Sequence, residues 1–371
     1  VNSDTKNRIL SQHQDNSSLN TPLLSQVMQG ETDLAADEMI SPLDEQIIAG
    51  ASEALEAGHT HYVPVPGIPE LREAVSEYLN AETGSQYADA NIIVTAGLQE
   101  SRFLTIQKIS EQYDSIAVPE VVHPGVTKTL GVRARNIIAL PVDLENGALA
   151  SVESISSAID SGCRLLYLES PSRLTGAVYS SDKVRQISEL AEANDVGIIW
   201  DQGLSTWIAD GDYTSIASFD ASTNWTATIG EAWPGMGLAS WFIGYIAAPE
   251  AWVPSMQSQK QIMAICTSTA TQYAALEASK LYAASHAQQV QKLTDIKGSL
   301  TELASSVNLT VIGGSVVNIM AVNLAGLDKA KIMERLSASG FDVADGSLFG
   351  APDVIRVNVG TSTEQVIQQI N

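Results

Sequence analysis

Between Asn91 and Asp201, short runs rich in Ile, Val and Leu alternate with helix-length segments, and this alternation narrows the fold more than any other feature of the chain. Asn91 to Thr95, Ser115 to Val118, Asn136 to Val142, Arg164 to Glu169 and Gly197 to Trp200 read as buried strands. Ala96-Gly97-Leu98 opens a helix after the first of them, and Ser181 to Ala193 reads as another. Strands alternating with helices imply a mostly parallel sheet with helices on both faces. Ligands in such sheets sit beyond the carboxyl ends of the strands. The positions to examine for function are therefore Gly97 to Gln99, His123, Ser170 to Gly176, and Asp201 to Leu204.

The flanks differ in character. Residues 1–45 are largely polar and read as an N-terminal arm with one short helix around Pro22 to Met28. Ser41-Pro42 has the form of a helix start, with acidic Asp44 and Glu45 facing the positive helix end. Gly67-Ile68-Pro69-Glu70 opens a further helix whose Leu71, Val75 and Leu79 share one face. Residues 46–250 form a large α/β domain in this reading. Residues 251–371 form connecting helices, from about Pro254 to Val307, and a small α+β unit with strands near Val316 to Val322 and Val354 to Val359 around a helix from Lys329 to Ser339.

Charge and composition exclude several classes. A formal net charge of -23 opposes binding to nucleic acid or an anionic membrane surface. No apolar run approaches the roughly 20 residues that span a bilayer, and no basic-then-apolar leader opens the chain, so the cytoplasm is the default location. Cys163 and Cys266 cannot form a disulfide framework and read as small buried hydrophobes. His59 and His61 could share one side of an extended segment, but no third ligand stands at a recognisable spacing, so no metal site is expected.

Taken in order, several landmarks resemble the class I/II aminotransferase family, the fold-type-I pyridoxal-phosphate-dependent enzymes, over essentially the whole chain. They are Tyr62-Val63-Pro64-Val65-Pro66-Gly67 with Glu70-Leu71-Arg72; Val94-Thr95-Ala96-Gly97-Leu98-Gln99; Val118-Pro119 with His123-Pro124-Gly125; Ser170-Pro171-Ser172-Arg173-Leu174-Thr175-Gly176; Asp201; Gly244-Tyr245 with Ala248-Pro249; and Ile355-Arg356-Val357. The resemblance implies a large domain with a mostly parallel sheet, a smaller α+β C-terminal domain, and a homodimer with the site at the subunit interface. It also implies roles. Asp201 would bond the cofactor's pyridine nitrogen. His123 would stack on the ring, and Gly97, Leu98 and Gln99 would offer helix-start amides to the phosphate. Tyr62 would reach a phosphate in the neighbouring subunit, and Arg356 would grip the substrate carboxylate.

The same comparison exposes departures. Ten residues before Gly244, where the family carries its Schiff-base lysine, stands Pro234, and no lysine occurs between Lys183 and Lys260. The lysine holds the cofactor aldehyde and moves the substrate proton, and proline can do neither. Glu231 stands where a serine usually donates to the phosphate; a carboxylate about 4 Å from each unit of like charge costs roughly 4 kcal/mol at an effective dielectric near 20. Phe242 replaces a phosphate-neutralising arginine, Arg173 an asparagine and Leu204 a tyrosine that bond the cofactor's phenolic oxygen. Lys128 and Lys260, the only substitutes within range, read as surface residues. Trp200, Trp207, Trp233 and Trp241 read as packing residues, and Gly235-Met236-Gly237 as a tight loop too short to cradle a phosphate.

These departures lead to the expectation of an aminotransferase-fold protein that acts on an amino acid or related small carboxylate without a lysine-bound cofactor. Arg356, His123 and Tyr62 are its candidate substrate-binding residues, and Asp201, Arg173 and Glu231 its candidate acid–base groups. Two alternatives stay open. One is a transferase or lyase that holds pyridoxal or pyridoxamine phosphate non-covalently through Gly97, Leu98, Gln99, His123 and Asp201. The other is a non-catalytic homologue that binds a ligand or a partner.

Overall fold

The computed structural model describes residues 34–36, 43–132, 136–209, 213–219, 224–238, 241, 243–360 and 362–370. The short helix expected near Pro22 to Met28, the Ser41-Pro42 helix start and Phe242 lie outside them.

Helix α1 (Glu45–Glu56) starts at Asp44, whose carboxylate accepts the Gln46 N–H at 2.8 Å. Helix α2 (Pro69–Thr83) has proline at its first position and ends on Gly84 at φ 68°. Leu71, Val75 and Leu79 are buried along one face of α2, as their spacing requires.

Seven strands make the large sheet: β1 (Ile92–Ala96), β2 (Ser115–Pro119), β3 (Asn136–Leu140), β6 (Leu165–Glu169), β7 (Gly197–Asp201), β8 (Thr226–Glu231) and β9 (Ile243–Ala247). A small hairpin of β4 (Val142–Asp143) and β5 (Leu149–Ala150) stands apart. The order across the large sheet is β1-β9-β8-β7-β6-β2-β3, and only β9 runs against its neighbours. Helices α3 (Gly97–Ile109) and α4 (Pro124–Val132) pack on one face with Ile93, Ile199 and Ile246. Helices α5 (Val152–Asp160) and α6 (Ser181–Ala193) cover the other with Leu166, Ile198 and Trp200. The strands expected from 91 to 201 are present within a residue or two, but Asn136 to Val142 divides at Pro141, which has no amide hydrogen to continue a ladder.

The long helical stretch expected from Pro254 to Val307 is two helices, α7 (Val253–Ala264) and the 38-residue α8 (Thr269–Ser306). They break at Ile265, which has φ 62°. Cys266, in that break, is half-buried rather than buried, whereas Cys163 is fully enclosed. The C-terminal sheet is antiparallel, ordered β10 (Thr310–Ile312), β11 (Ile319–Asn323), β13 (Val354–Asn358) and β12 (Ala344–Asp345). Helices α9 (Lys329–Ala338) and α10 (Thr363–Ile370) and the end of α8 cover it with Leu336, Ile367 and Ala304. Leu34 joins this unit through backbone bonds to Asp342 and Asn358. Among the described residues, no helix is long and apolar enough to cross a membrane.

Candidate active site

Parallel register brings Glu169, the last residue of β6, beside Asp201, the last of β7, and Glu231 closes the next strand. Three carboxylates thus stand along the carboxyl edge of the sheet. Glu169 and Asp201, adjacent and buried, demand cationic partners.

Arg102, from the middle of α3, meets Asp201. Its Nε and Nη2 lie 2.8 and 2.7 Å from Asp201 Oδ2, with both side chains almost wholly enclosed. Tyr167 donates its hydroxyl to the same oxygen at 2.7 Å, and the Gly203 N–H donates to Oδ1 at 3.0 Å. Burial alone would raise the Asp201 pKa, but Arg102, then Arg173 and the Tyr167 hydroxyl, hold it below the usual carboxylate range. Nη1 of Arg102 is 3.0 Å from His123 Nδ1, which also accepts the Gly125 N–H at 3.0 Å. Two donors fix that nitrogen as an acceptor. Burial and then the positive charges of Arg102, Arg173 and Arg356 lower the His123 pKa and keep the ring neutral.

Glu169 accepts the backbone N–H groups of His123 at 2.9 Å and Arg173 at 3.3 Å. Burial and the Asp201 charge nevertheless push it up to about 7. Arg173 is buried and places Nη2 3.4 Å from Glu231 Oε1; the Glu231 side chain is 26% exposed. Arg356 is completely enclosed. Its Nη1 donates to the Arg173 carbonyl at 3.0 Å, its Nη2 to the Ala35 carbonyl at 2.5 Å, and its guanidinium lies 5.2 Å from the Phe349 ring centre. His123 meets the same Phe349 ring edge-on at 5.9 Å. Asp201, Arg173, Glu231, Arg356 and His123 therefore belong to one connected cluster. Tyr62 does not join it and is 78% exposed.

At the start of α3, Gly97 and Leu98 lie tight against Gly244, where an added Cβ would come within 2.7 Å of the Gly97 carbonyl carbon and 2.9 Å of Leu98 N. Gln99 turns aside to the Gly125 carbonyl and Thr129. Glu100 accepts the Ala96 N–H at 2.5 Å and pairs with Lys260 at 2.9 Å. Lys260 also donates to Thr267 at 3.0 Å and has no exposed side-chain surface. The expectation of a surface Lys260 is thus corrected: Glu100, on a buried face of α3, requires a cation. Lys128 is half-buried rather than at the surface. Trp200 is enclosed and Trp241 is 39% exposed, so only some of the four tryptophans pack in the interior.

Pro234 occupies a loop held from outside the sheet. Gln289 of α8 donates to the Gly235 carbonyl at 2.8 Å, and Trp207 lies where a Gly235 side chain would go. Asp201, which the family resemblance assigns to the cofactor's pyridine nitrogen, already has a guanidinium, a phenol and an amide as partners. Arg102, Tyr167 and Glu169 were not singled out from sequence. Their signal lay in burial: Arg102 shares a helix face with Leu98, Thr105 and Ile109, and a charge there calls for a carboxylate.

A model of the family described as aminotransferase class I and II matches residues 29–370. A probable aspartate/prephenate aminotransferase of Aquifex aeolicus is 28% identical over 342 residues, covering 85% of this chain and 83% of that protein. The aspartate/prephenate aminotransferase of Thermus thermophilus is 27% identical, covering 90% and 87%. Among solved structures, an aspartate aminotransferase of Thermotoga maritima superposes with a TM-score of 0.83 at 19% identity, covering 91% and 90%. An aspartate aminotransferase of Thermus thermophilus with maleate gives 0.80 at 24%, covering 90% and 88%.

Proposed function

Because the chain belongs to the aminotransferase class I and II family, we propose that it is an enzyme acting on an amino acid or related small carboxylate, without chemistry through a lysine-bound cofactor. The observation that carries this reading is the Arg102–Asp201 pair, which spends the family's ring-binding carboxylate on an internal cation. The relatives named for aspartate and the relative solved with maleate, a dicarboxylate, support an acidic small molecule as the ligand.

Arg102, Arg173 and Arg356 supply three positive charges against Asp201, Glu231 and a Glu169 that is protonated over part of the neutral range. Electrostatically the cluster accepts one more anion when Glu169 carries its proton. Arg356 anchors the carboxylate in this proposal. Arg173 orients the ligand, and Glu231, open to solvent on one side, takes or returns a proton. Asp201 holds Arg102 in place. The proposal places the site in a cytoplasmic homodimer, in which Tyr62, exposed here, reaches the partner subunit's site.

A second reading follows from the family, whose members are pyridoxal-phosphate-dependent. Here the cofactor is held non-covalently over His123, with its phosphate at the start of α3. The family match and the relatives' printed activities support this reading better than the first.

Calorimetry with L-aspartate and maleate, run with and without added pyridoxal phosphate, tests both. Binding without cofactor, weakened by Arg356→Lys, supports the first reading. Binding only with cofactor, accompanied by a saturable absorbance band, replaces it with the second.

A further inference from the structure

A cavity of about 850 Å³ lies between α2, α8 and the segment that follows β7, with Gln202, next to Asp201 in the chain, on its wall. That size suits a small organic ligand. Its inner wall is aromatic. Tyr78, Trp233 and Tyr282 stand with ring centres 5.1, 6.0 and 5.5 Å apart, and Tyr282 stacks on His286 at 4.6 Å. Among the described residues that line it, the carboxylates are Glu77 and Glu82 of α2, both exposed, and there is no lysine or arginine.

The buried polar atoms at this cavity that lack a hydrogen-bond partner among the described residues include two hydrogen-bond donors. They are Nε1 of Trp233, a residue only 4% exposed, and Oγ1 of Thr206. Buried donors without acceptors are rare, because each forfeits its hydration without return. A bound molecule carrying an acceptor would satisfy them.

We propose that this cavity is a binding site for a small organic cation with an aromatic or apolar body and a polar substituent. The electron-rich faces of the rings attract the ammonium group, and their edges pack against the aromatic or apolar body. Glu77 and Glu82 add attraction at the mouth, and the chain's net charge of -23 draws cations generally. Trp233 reaches the cavity from the loop that carries Pro234.

The test compares tyramine with para-hydroxyphenylacetate, which has the same ring and the opposite charge, by titration calorimetry on the full chain. Tyramine is expected to bind at one site per chain and at least roughly tenfold more tightly than the anion. Trp233→Leu should weaken tyramine roughly tenfold. Because that variant can disturb packing, Glu77→Gln combined with Glu82→Gln provides a surface control. This control should weaken tyramine several-fold at low salt, less at high salt, with an unchanged thermal melt. Absence of tyramine binding, equal affinity for the anion, or indifference to the double glutamine change would overturn the proposal. None of these outcomes depends on whether aspartate or maleate binds near Arg356.

Discussion

Arg102 and Asp201, far apart in sequence, meet at 2.7 Å where neither has meaningful contact with water. The pair closes the carboxyl end of the central strand with a charge balance supplied by the chain itself. Removing one member leaves an uncompensated buried ion, which costs far more than the intact pair contributes. Arg102→Leu is therefore expected to lower unfolding stability by about 3–5 kcal/mol in urea titrations. Arg102→Leu with Asp201→Asn should recover much of that loss, and a double variant no more stable than the single would contradict the pairing.

Glu169 predicts a pH dependence of definite sign. Its carboxyl is raised from 4.5 to about 7 by burial and by Asp201, so the folded chain binds its proton more tightly than the unfolded chain. The contribution to stability is complete below the unfolded value and declines as pH rises through about 7. Glu169→Gln, which mimics the protonated form, should flatten the fall in melting temperature between mildly acidic and mildly alkaline pH. Asp201, whose pKa is lowered, acts oppositely and loses its contribution only in acid.

Lys260 and Glu100 form a second enclosed pair, in which Glu100 also holds the Ala96 amide. Lys260→Ala should cost about 3–5 kcal/mol in chemical denaturation. Lys183→Ala, at an exposed position of α6, should fall within about 0.5 kcal/mol of the parent.

Gly244 is fixed by space rather than by dihedral angle. A methyl group there would press on the backbone of Gly97 and Leu98 at 2.7 and 2.9 Å. Gly244→Ala is expected to cost about 1–3 kcal/mol, the range for overpacked interiors. It should also displace the start of α3, visible as altered amide exchange from Gly97 to Gln99.

Much of the architecture could be read from the chain because it rests on local periodicity. The buried runs around Ile93, Ile116, Leu166 and Ile198 announced strands, and Leu71, Val75 and Leu79 announced a helix face. Strands β8 and β9 were harder, since Thr226 to Glu231 carries few large apolar residues and nothing local dictates that β9 runs antiparallel. The break at Ile265 carries no proline or glycine, so the two helices read as one. In the candidate site, ordered landmarks led to Asp201, Arg173, Glu231 and Arg356, but not to Arg102. Its partner is distant in sequence, and only tertiary packing shows that an arginine on a buried helix face has a carboxylate opposite it.

The central claim is that Asp201 is committed to Arg102 and not to a cofactor ring. Titrating the purified protein with pyridoxal phosphate by difference absorbance tests it most directly. The pairing predicts no saturable complex of one cofactor per chain. A tight one-to-one complex that Asp201→Asn abolishes would contradict it.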